Sequence, residues 1–507
     1  MRIGVIEFLK SSPYRGVAQR LYAQVIIKQY ASVMPQAISV WCRELGHEVH
    51  YATYYGQQDP RSLLPRDLDL VFIATYTQAS VLAYALAKMF RAEGTTTIAG
   101  GHHAKSFPED CQRFFDVVVL ECDRTLIREM LRDLPRGQIV SSGRALRELP
   151  SVEARMPEIR KAFFYNSRPN SASTVPLLAS VGCPYTCDFC VDARSRYSPL
   201  PMDRVEADLR FLRERFPRLI VSFHDPNFAI RFDEVLEVMQ RVSRGGRRYY
   251  VVESSLSVLK NEERLRRLRD SGCLYIAPGI ESFANYADKS GLRGIHSAHE
   301  RLDAVAVQLK TIHEYIPGIQ ANYMFGLETD AGDEPVELLK EVMIRTPFVW
   351  SAVSTPMPFG GSPLYDQLLA AGRILETMPF HFYYEPYLTL KPAHYDPVSY
   401  YRRMIAISKH VVSPAMTARR LAMTPGLLRI LHGLRTYHTF RLMRAYQAIL
   451  GRLEKDRAFR RFHEGETDVV PPFYRQTITR DLGAYASLLT EEDLRPVPNR
   501  LPVAAVS

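Results

Sequence analysis

The sequence predicts an α/β protein in three parts: an N-terminal doubly wound parallel sheet, a central open parallel barrel of six β/α units, and a helical C-terminal region. Three observations predict it. Short apolar runs alternate with helix-period segments twice along the chain, the two series are separated by an aperiodic stretch rich in Pro, Ser and Asn over 151–172, and no strand-like run follows residue 400. The expected boundaries are 1–150, a linker over 151–172, 173–395, and 396–507.

In the first series, 2–8 reads as a strand and 34–45 as a helix stopped by Gly46. Strands follow at 48–54 and 68–74, and a helix at 79–93 ends before Gly94. The run 96–99 leads into Gly100-Gly101, 116–120 is a further apolar strand, and 125–134 is helical. This is the rhythm of a sheet that binds ligands beyond the carboxyl ends of its strands.

The second series is more regular. Strands are expected at 175–181, 218–224, 248–254, 274–280, 319–326 and 348–356, with helices near 202–216, 232–244, 259–271, 298–315 and 333–345. From 400 onward the chain is helical and basic, with Arg and apolar residues interleaved at 427–435 and 440–453. That region suits a helical cap over the barrel, with peripheral membrane contact as an alternative.

The 507 residues carry a net charge of +10, which suits either a solvated basic face or an anionic partner. No window reaches the ~20 apolar residues of a membrane span, and the N-terminus has no secretory pattern. Seven cysteines, three of them clustered, do not make a disulfide framework, so a reducing, cytoplasmic setting is expected. Cys42, Cys111, Cys122 and Cys273 read as ordinary thiols.

The chemistry is concentrated in Gly182-Cys183-Pro184-Tyr185-Thr186-Cys187-Asp188-Phe189-Cys190, directly after an apolar strand. Thiolates at C-x3-C-x2-C spacing on one short loop can converge on one metal centre, and three of them leave one iron of a [4Fe–4S] cube without a protein ligand. A structural zinc knot would need a fourth ligand, for which His224 is the nearby candidate in sequence. Parallel barrels place function at the carboxyl ends of their strands. Those ends here carry Phe223-His224-Asp225-Pro226-Asn227, Gly279-Ile280-Glu281-Ser282, Gly326-Leu327-Glu328-Thr329 and Met357-Pro358-Phe359-Gly360-Gly361-Ser362-Pro363-Leu364-Tyr365.

The cysteine run, with Phe189 before its last thiol, resembles the signature of the radical S-adenosylmethionine (radical SAM) superfamily. The four barrel loops resemble those of its large, often cobalamin-associated class: Gly279 to Ser282 is similar to G-[IL]-E-S. Gly326-Leu327 begins a G-L-P-x-E-T loop from which the proline is missing, and Phe359 stands for the proline of P-G-T-P-L-Y. The resemblance implies a partial (β/α)6 radical SAM barrel in which Cys183, Cys187 and Cys190 hold the cluster and SAM chelates the open iron. Phe189, His224, Asp225, Asn227, Gly279, Glu281, Ser282, Gly326, Met357 and Gly360 would then shape the SAM pocket.

Residues 98–109, with Gly100-Gly101-His102-His103, resemble the Rossmann-like cobalamin-binding domain found upstream of many such barrels. Gly100 and Gly101 would let the backbone approach the cofactor's nucleotide tail, and Thr75 would lie on the adjacent loop. The D-x-H-x-x-G run of other cobalamin proteins is absent after the first strand, and G-E-G-E-x-T survives only in part as Leu120-Glu121-Cys122-Asp123-Arg124-Thr125. The resemblance implies that SAM is cleaved to a 5′-deoxyadenosyl radical, with cobalamin-dependent methylation of an unactivated carbon of a small metabolite or lipid. The alternatives are a radical rearrangement, cyclisation or C–S bond formation without methyl transfer, and a non-catalytic cofactor sensor. An electron donor such as flavodoxin or ferredoxin is implied. No nucleic-acid partner is expected, because the first domain has no second cysteine triad. The sequence assigns no catalytic proton acceptor.

Overall fold

The computed structural model describes residues 1–170, 173–242, 249–283, 292 and 294–500. Its first layer is a six-stranded parallel sheet: β1 (Arg2–Phe8), β2 (Glu48–Tyr54), β3 (Leu70–Thr75), β4 (Thr96–Gly100), β5 (Val117–Val119) and β6 (Gln138–Val140), in the order β2-β1-β3-β4-β5-β6. Helices cover both faces, which is why Ile3 to Phe8 and Leu70 to Ile73 are buried almost without polar interruption. The chain leaves β1 toward β2 on one side and returns to β3 on the other. That switch point opens a crevice beyond the strand ends.

The second sheet is also parallel. It contains β7 (Thr174–Leu177), then, after the hairpin pair β8 (Ser180–Val181) and β9 (Ser198–Pro199), β10 (Ile220–Phe223), β11 (Tyr250–Ser255), β12 (Cys273–Glu281), β13 (Gly318–Met324) and β14 (Trp350–Ser354). The order β14-β13-β12-β11-β10-β7 runs strictly with the sequence, so each crossover helix adds the next strand. Local signals agree with this. Ser297 and Glu300 form a reciprocal capping box on the helix Ala298–Tyr315, and Asn261 caps Glu262–Ser271. The doubly wound sheet, the six-stranded open barrel and the helical C-terminal region of the sequence reading are all present.

Three expectations need correction. The linker over 151–172 contains the helix Val152–Phe163, started by Ser151, whose side chain accepts from the Ala154 N–H. It escapes a periodicity reading because its inward face is partly polar: Glu158, 2% exposed, binds Arg43 and Ser39, and Arg155 donates to Gln36. The strand expected at 175–181 is split into β7 and β8, and only β7 joins the barrel sheet. The helix Val17–Val25 and strand β6 were not anticipated.

The C-terminal helices do not form a separate cap. The 30-residue helix Gly426–Lys455 lies against the amino ends of β12 to β14: Leu428 approaches Gly318, and Arg435 sits over the rings of Tyr275 and Trp350. No helix among the described residues is long and apolar enough to cross a membrane.

Candidate active site

The three cysteines lie on the loop between β8 and β9, whose short antiparallel pairing (Ser180↔Pro199, Val181↔Ser198) holds its two ends together. Gly182 makes the turn into it at φ +71°, and a Cβ there would lie 2.4 Å from the Arg196 carbonyl oxygen, so only glycine fits. Cys183, Cys187 and Cys190 are partly buried thiols. The Cys190 N–H donates to the Cys187 carbonyl at 3.1 Å, and the Asp192 N–H lies 3.4 Å from the Cys190 Sγ. Among the described residues no three His, Cys, Asp or Glu side chains converge on one ion. Each iron of a cubane takes its own thiolate, so three partly buried thiols on one sharply turned loop fit a cluster's donor set.

Two neighbours fix this loop. Asp225, at the end of β10 and 3% exposed, accepts from the Ala179 N–H at 3.0 Å and from the Ser180 hydroxyl at 2.8 Å, and burial pushes its carboxyl up to about 6. The Leu364 N–H donates to the Asp188 carbonyl at 2.8 Å, tying the loop to the segment after β14. Phe189 packs against an aromatic cluster that includes Phe107 of the first domain, so its ring lies at the domain seam.

Around the barrel rim, Asn227 is 4% exposed; its Oδ1 accepts from the Ala229 and Ser255 N–H groups while its buried Nδ2 has no partner. An orphaned donor at a strand end is what a ligand's acceptor would satisfy. Gly279 pairs with both Ser255 and Asn322, and the ladder then breaks before Glu281, which adopts φ +68°. Ser282 bonds to Asp330, whose carboxylate also takes the Gly326 and Leu327 N–H groups at 2.8 and 3.1 Å. Asp330 thus joins the rims of β12 and β13, and sequence reasoning missed it. Its signal was an acid four residues after a loop glycine.

Gly326 packs on Tyr400, Met357 Sδ accepts from Thr389, and a Cβ on Gly360 would come 1.9 Å from the Ser106 carbonyl of the first domain. Gly360 therefore permits domain docking. His224 borders the barrel interior, where burial pushes its imidazole down to about 4 and keeps it neutral.

In the first domain, Thr75, Gly100 and Gly101 meet around a largely apolar cavity of about 190 Å³ beyond the ends of β1, β3 and β4. Gly101, at φ +84°, packs on the Thr75 backbone, whereas a Cβ on Gly100 would meet nothing within 4 Å. Gly100 thus borders the cavity without a side chain. Glu7 also lines it, 2% exposed and accepting from the Ser32 N–H at 2.9 Å; burial pushes its carboxyl up to about 8. At the mouth, Tyr76 stacks on His102 with centroids 4.9 Å apart.

A second cavity of about 510 Å³ runs down the barrel interior, from His224 and Gly182 at the rim to Tyr275, Gln320 and Arg435 at its floor. The two spaces share Ser32, Tyr76, His102 and Asp192 as wall residues. Lys105 of the first domain binds Ser195 and approaches Asp192 at 3.7 Å, both on the cluster loop.

Comparison with known proteins gives the same architecture. Residues 177–343 match the radical SAM superfamily. The bacteriochlorophyllide d C-12(1)-methyltransferase of Chlorobaculum tepidum is 22% identical over 336 residues, 64% of this chain and 72% of that protein. The radical SAM methyltransferase TsrM of Kitasatospora setae, solved with cobalamin and a [4Fe–4S] cluster bound, superposes with a TM-score of 0.55 at 12% identity, covering 88% of this chain and 99% of that one. The cobalamin-dependent SAM radical enzyme OxsB, solved with aqua-cobalamin, gives 0.57 at 12% identity over 97% of this chain and 78% of its own. With its cysteine loop at the head of a six-stranded open barrel and a doubly wound sheet before it, this chain carries a radical SAM domain over residues 177–343 and shares the fold of the solved cobalamin-dependent enzymes.

Proposed function

We propose that the protein is a cobalamin-dependent radical SAM methyltransferase acting on an unactivated carbon of a small metabolite or lipid. The single observation that carries this reading is that the two cavities adjoin, with Ser32, Tyr76, His102 and Asp192 lining both. A cofactor cradled by the first sheet would face a substrate radical in the barrel across that common wall. In this reading Cys183, Cys187 and Cys190 each hold one iron, the Asn227 amide and the rim from Gly279 to Ser282 receive SAM, and Thr75, Gly100 and Gly101 receive the nucleotide tail of cobalamin. When bound, these groups supply a 5′-deoxyadenosyl radical and a transferable methyl group.

The chain's own residues do the positioning. Asp225 fixes the backbone leading into the cysteine loop, and Asp330 holds the β12 and β13 rims in register with each other. Neutral His224 offers a hydrogen bond without a charge. Tyr275, Gln320 and Arg435 give the floor of the barrel polar groups that can orient a substrate. The exposed Pro184-Tyr185-Thr186 turn leaves the outer side of the cysteine loop open to an electron donor such as flavodoxin or ferredoxin.

The test is anaerobic reconstitution with iron, sulfide and cobalamin, followed by SAM and a strong reductant. A cubane EPR signal, 5′-deoxyadenosine and a cobalamin-loaded protein are expected, all but the cobalamin lost in the triple cysteine-to-alanine variant. An active, cobalt-free enzyme would instead favour rearrangement, cyclisation or C–S bond formation.

A further inference from the structure

A third cavity, of about 600 Å³, lies outside the site described above. Its walls come from the loop after β1, the helices Val17–Val25 and Gly426–Lys455, and the segment around Glu385. Four permanently or ordinarily cationic side chains face it: Lys10, Arg15, Arg441 and Arg480. The polar contacts in this region, the ion pairs Arg15–Asp481 at 3.4 Å and Arg480–Asp481 at 3.0 Å and the His381–Asp481 hydrogen bond at 3.3 Å, all converge on one carboxylate. None uses Lys10 or Arg441. Among the described residues neither cation is ion-paired, although Lys10 is half-buried; Asp481 and Glu385 also line the cavity, and burial and Arg441 hold the Lys10 ammonium down to about 8 against the pull of Asp481. A half-buried cation set beside a second cation is costly unless an anion joins them.

The helix Val17–Val25 and the turn Ile27–Tyr30 form the partition between this cavity and the barrel interior. Tyr22 and Ala23 face the basic side, while Gln29 and Tyr30 face the barrel. The helix Gly426–Lys455 serves both spaces, with Arg435 in the barrel and Arg441 six residues on in the basic cavity, about 9 Å along the axis. We propose that Lys10 and Arg441 form an oxyanion site that takes a carboxylate or phosphate group, borne either by an extended substrate whose reacting end lies in the barrel or by the phosphodiester of cobalamin, in which case only the base of its nucleotide tail would reach Thr75, Gly100 and Gly101. The substrate form of this proposal rests on the methyltransferase reading; the site itself does not.

The experiment follows the thermal midpoint of the full-length apoprotein at pH 7 in inorganic phosphate, succinate or chloride at equal ionic strength. Wild type is expected to show a saturable rise of several degrees with phosphate or succinate over chloride, and Lys10→Met/Arg441→Gln is expected to lose it. Lys10→Met keeps the unbranched stem, one atom shorter, and removes a charge with no ion-pair partner among the described residues, so its midpoint in chloride should equal or exceed wild type. Arg441 is exposed, so Arg441→Gln alone leaves the core intact and must already weaken the response. No saturable rise, or the same rise in the double variant, overturns the proposal.

The source of the anion is read by titrating cobalamin and cobinamide, which lacks the phosphodiester. A tenfold weakening for cobalamin alone assigns the site to the cofactor, and unchanged binding of both assigns it to the substrate. The readout needs neither SAM nor the cluster. An enzyme that formed no 5′-deoxyadenosine would still pass or fail it.

Discussion

Asp225 and Glu7 show how single buried carboxyls set the two halves of the site. Asp225 accepts from two groups of the strand that leads into the cysteine loop, so Asp225→Ala leaves the Ala179 N–H and the Ser180 hydroxyl without their acceptor. The expected cost is about 1–3 kcal/mol locally, seen as less than half the wild-type iron per chain after reconstitution; Asp225→Asn, which keeps one acceptor, should fall between. Wild-type iron content in Asp225→Ala would count against the positioning role. Glu7 is held well above its ordinary 4.5, at about 8, so the fold favours the neutral acid. Its contribution is fully present below about pH 4.5 and is lost as pH rises through 8. Glu7→Gln keeps the neutral shape. Its thermal midpoint should match wild type at pH 5 and exceed it at pH 8.5, by an amount worth about 1–3 kcal/mol, measured by calorimetry of the apoprotein.

At the scale of elements, the helix Val152–Phe163 makes a separate prediction. Glu158 binds the Arg43 guanidinium and the Ser39 hydroxyl across to the helix Val33–Glu44. Glu158→Ala strands a half-buried charge and should lower stability by about 2–4 kcal/mol in denaturant unfolding. Adding Arg43→Ala should recover part of that loss; equal stability of single and double variants would deny the coupling. The same helix shows where the sequence stops being legible. β1, β3 and β5 are buried almost throughout, and crossover helices such as Phe232–Val242 carry apolar stripes, so spacing alone locates them within a few residues. Val152–Phe163 buries charge against charge and carries Pro157 in its middle, so it reads as loop. β6 is three residues long and half-exposed, too short for an alternation to register. The cysteine loop was legible because its chemistry is written in adjacent residues. Asp330 was not, because its task depends on Ser282, and Gly360 stood out only as a pocket residue, because its packing on the Ser106 carbonyl involves a group distant in sequence.

At the scale of the whole molecule, the segment after the last α-helix crosses back over the other two parts. Lys88 of the first domain pairs with Asp493, and Arg113 donates to the Glu492 and Arg495 carbonyls. The Val497 N–H donates to Asp110 at 2.9 Å and the Arg500 N–H to Glu109 at 2.8 Å. Between them the Asn499 N–H donates to the Tyr365 hydroxyl of the barrel at 3.0 Å, and its Cβ lies beside Gly360. This strap joins the helix Pro108–Gln112 to the helix Pro363–Ala370 at the seam where Gly360 meets Ser106. Both sheets share one continuous apolar core, to which the chain beyond Leu482 adds only the partly buried Tyr485, Ala486, Leu489 and Leu494, so a chain ending at Leu482 should keep that core. What it loses is the clamp across the seam. Amide exchange at 101–112 and 356–370 should then rise at least tenfold while exchange in β1, β3 and β12 stays slow. Cobalamin affinity should fall with it, because the shared wall of Tyr76, His102 and Asp192 takes residues from both sides of that seam. Unchanged exchange at 101–112 in the shortened chain would show that Gly360, Lys105 and the aromatic cluster around Phe107 hold the domains without the strap.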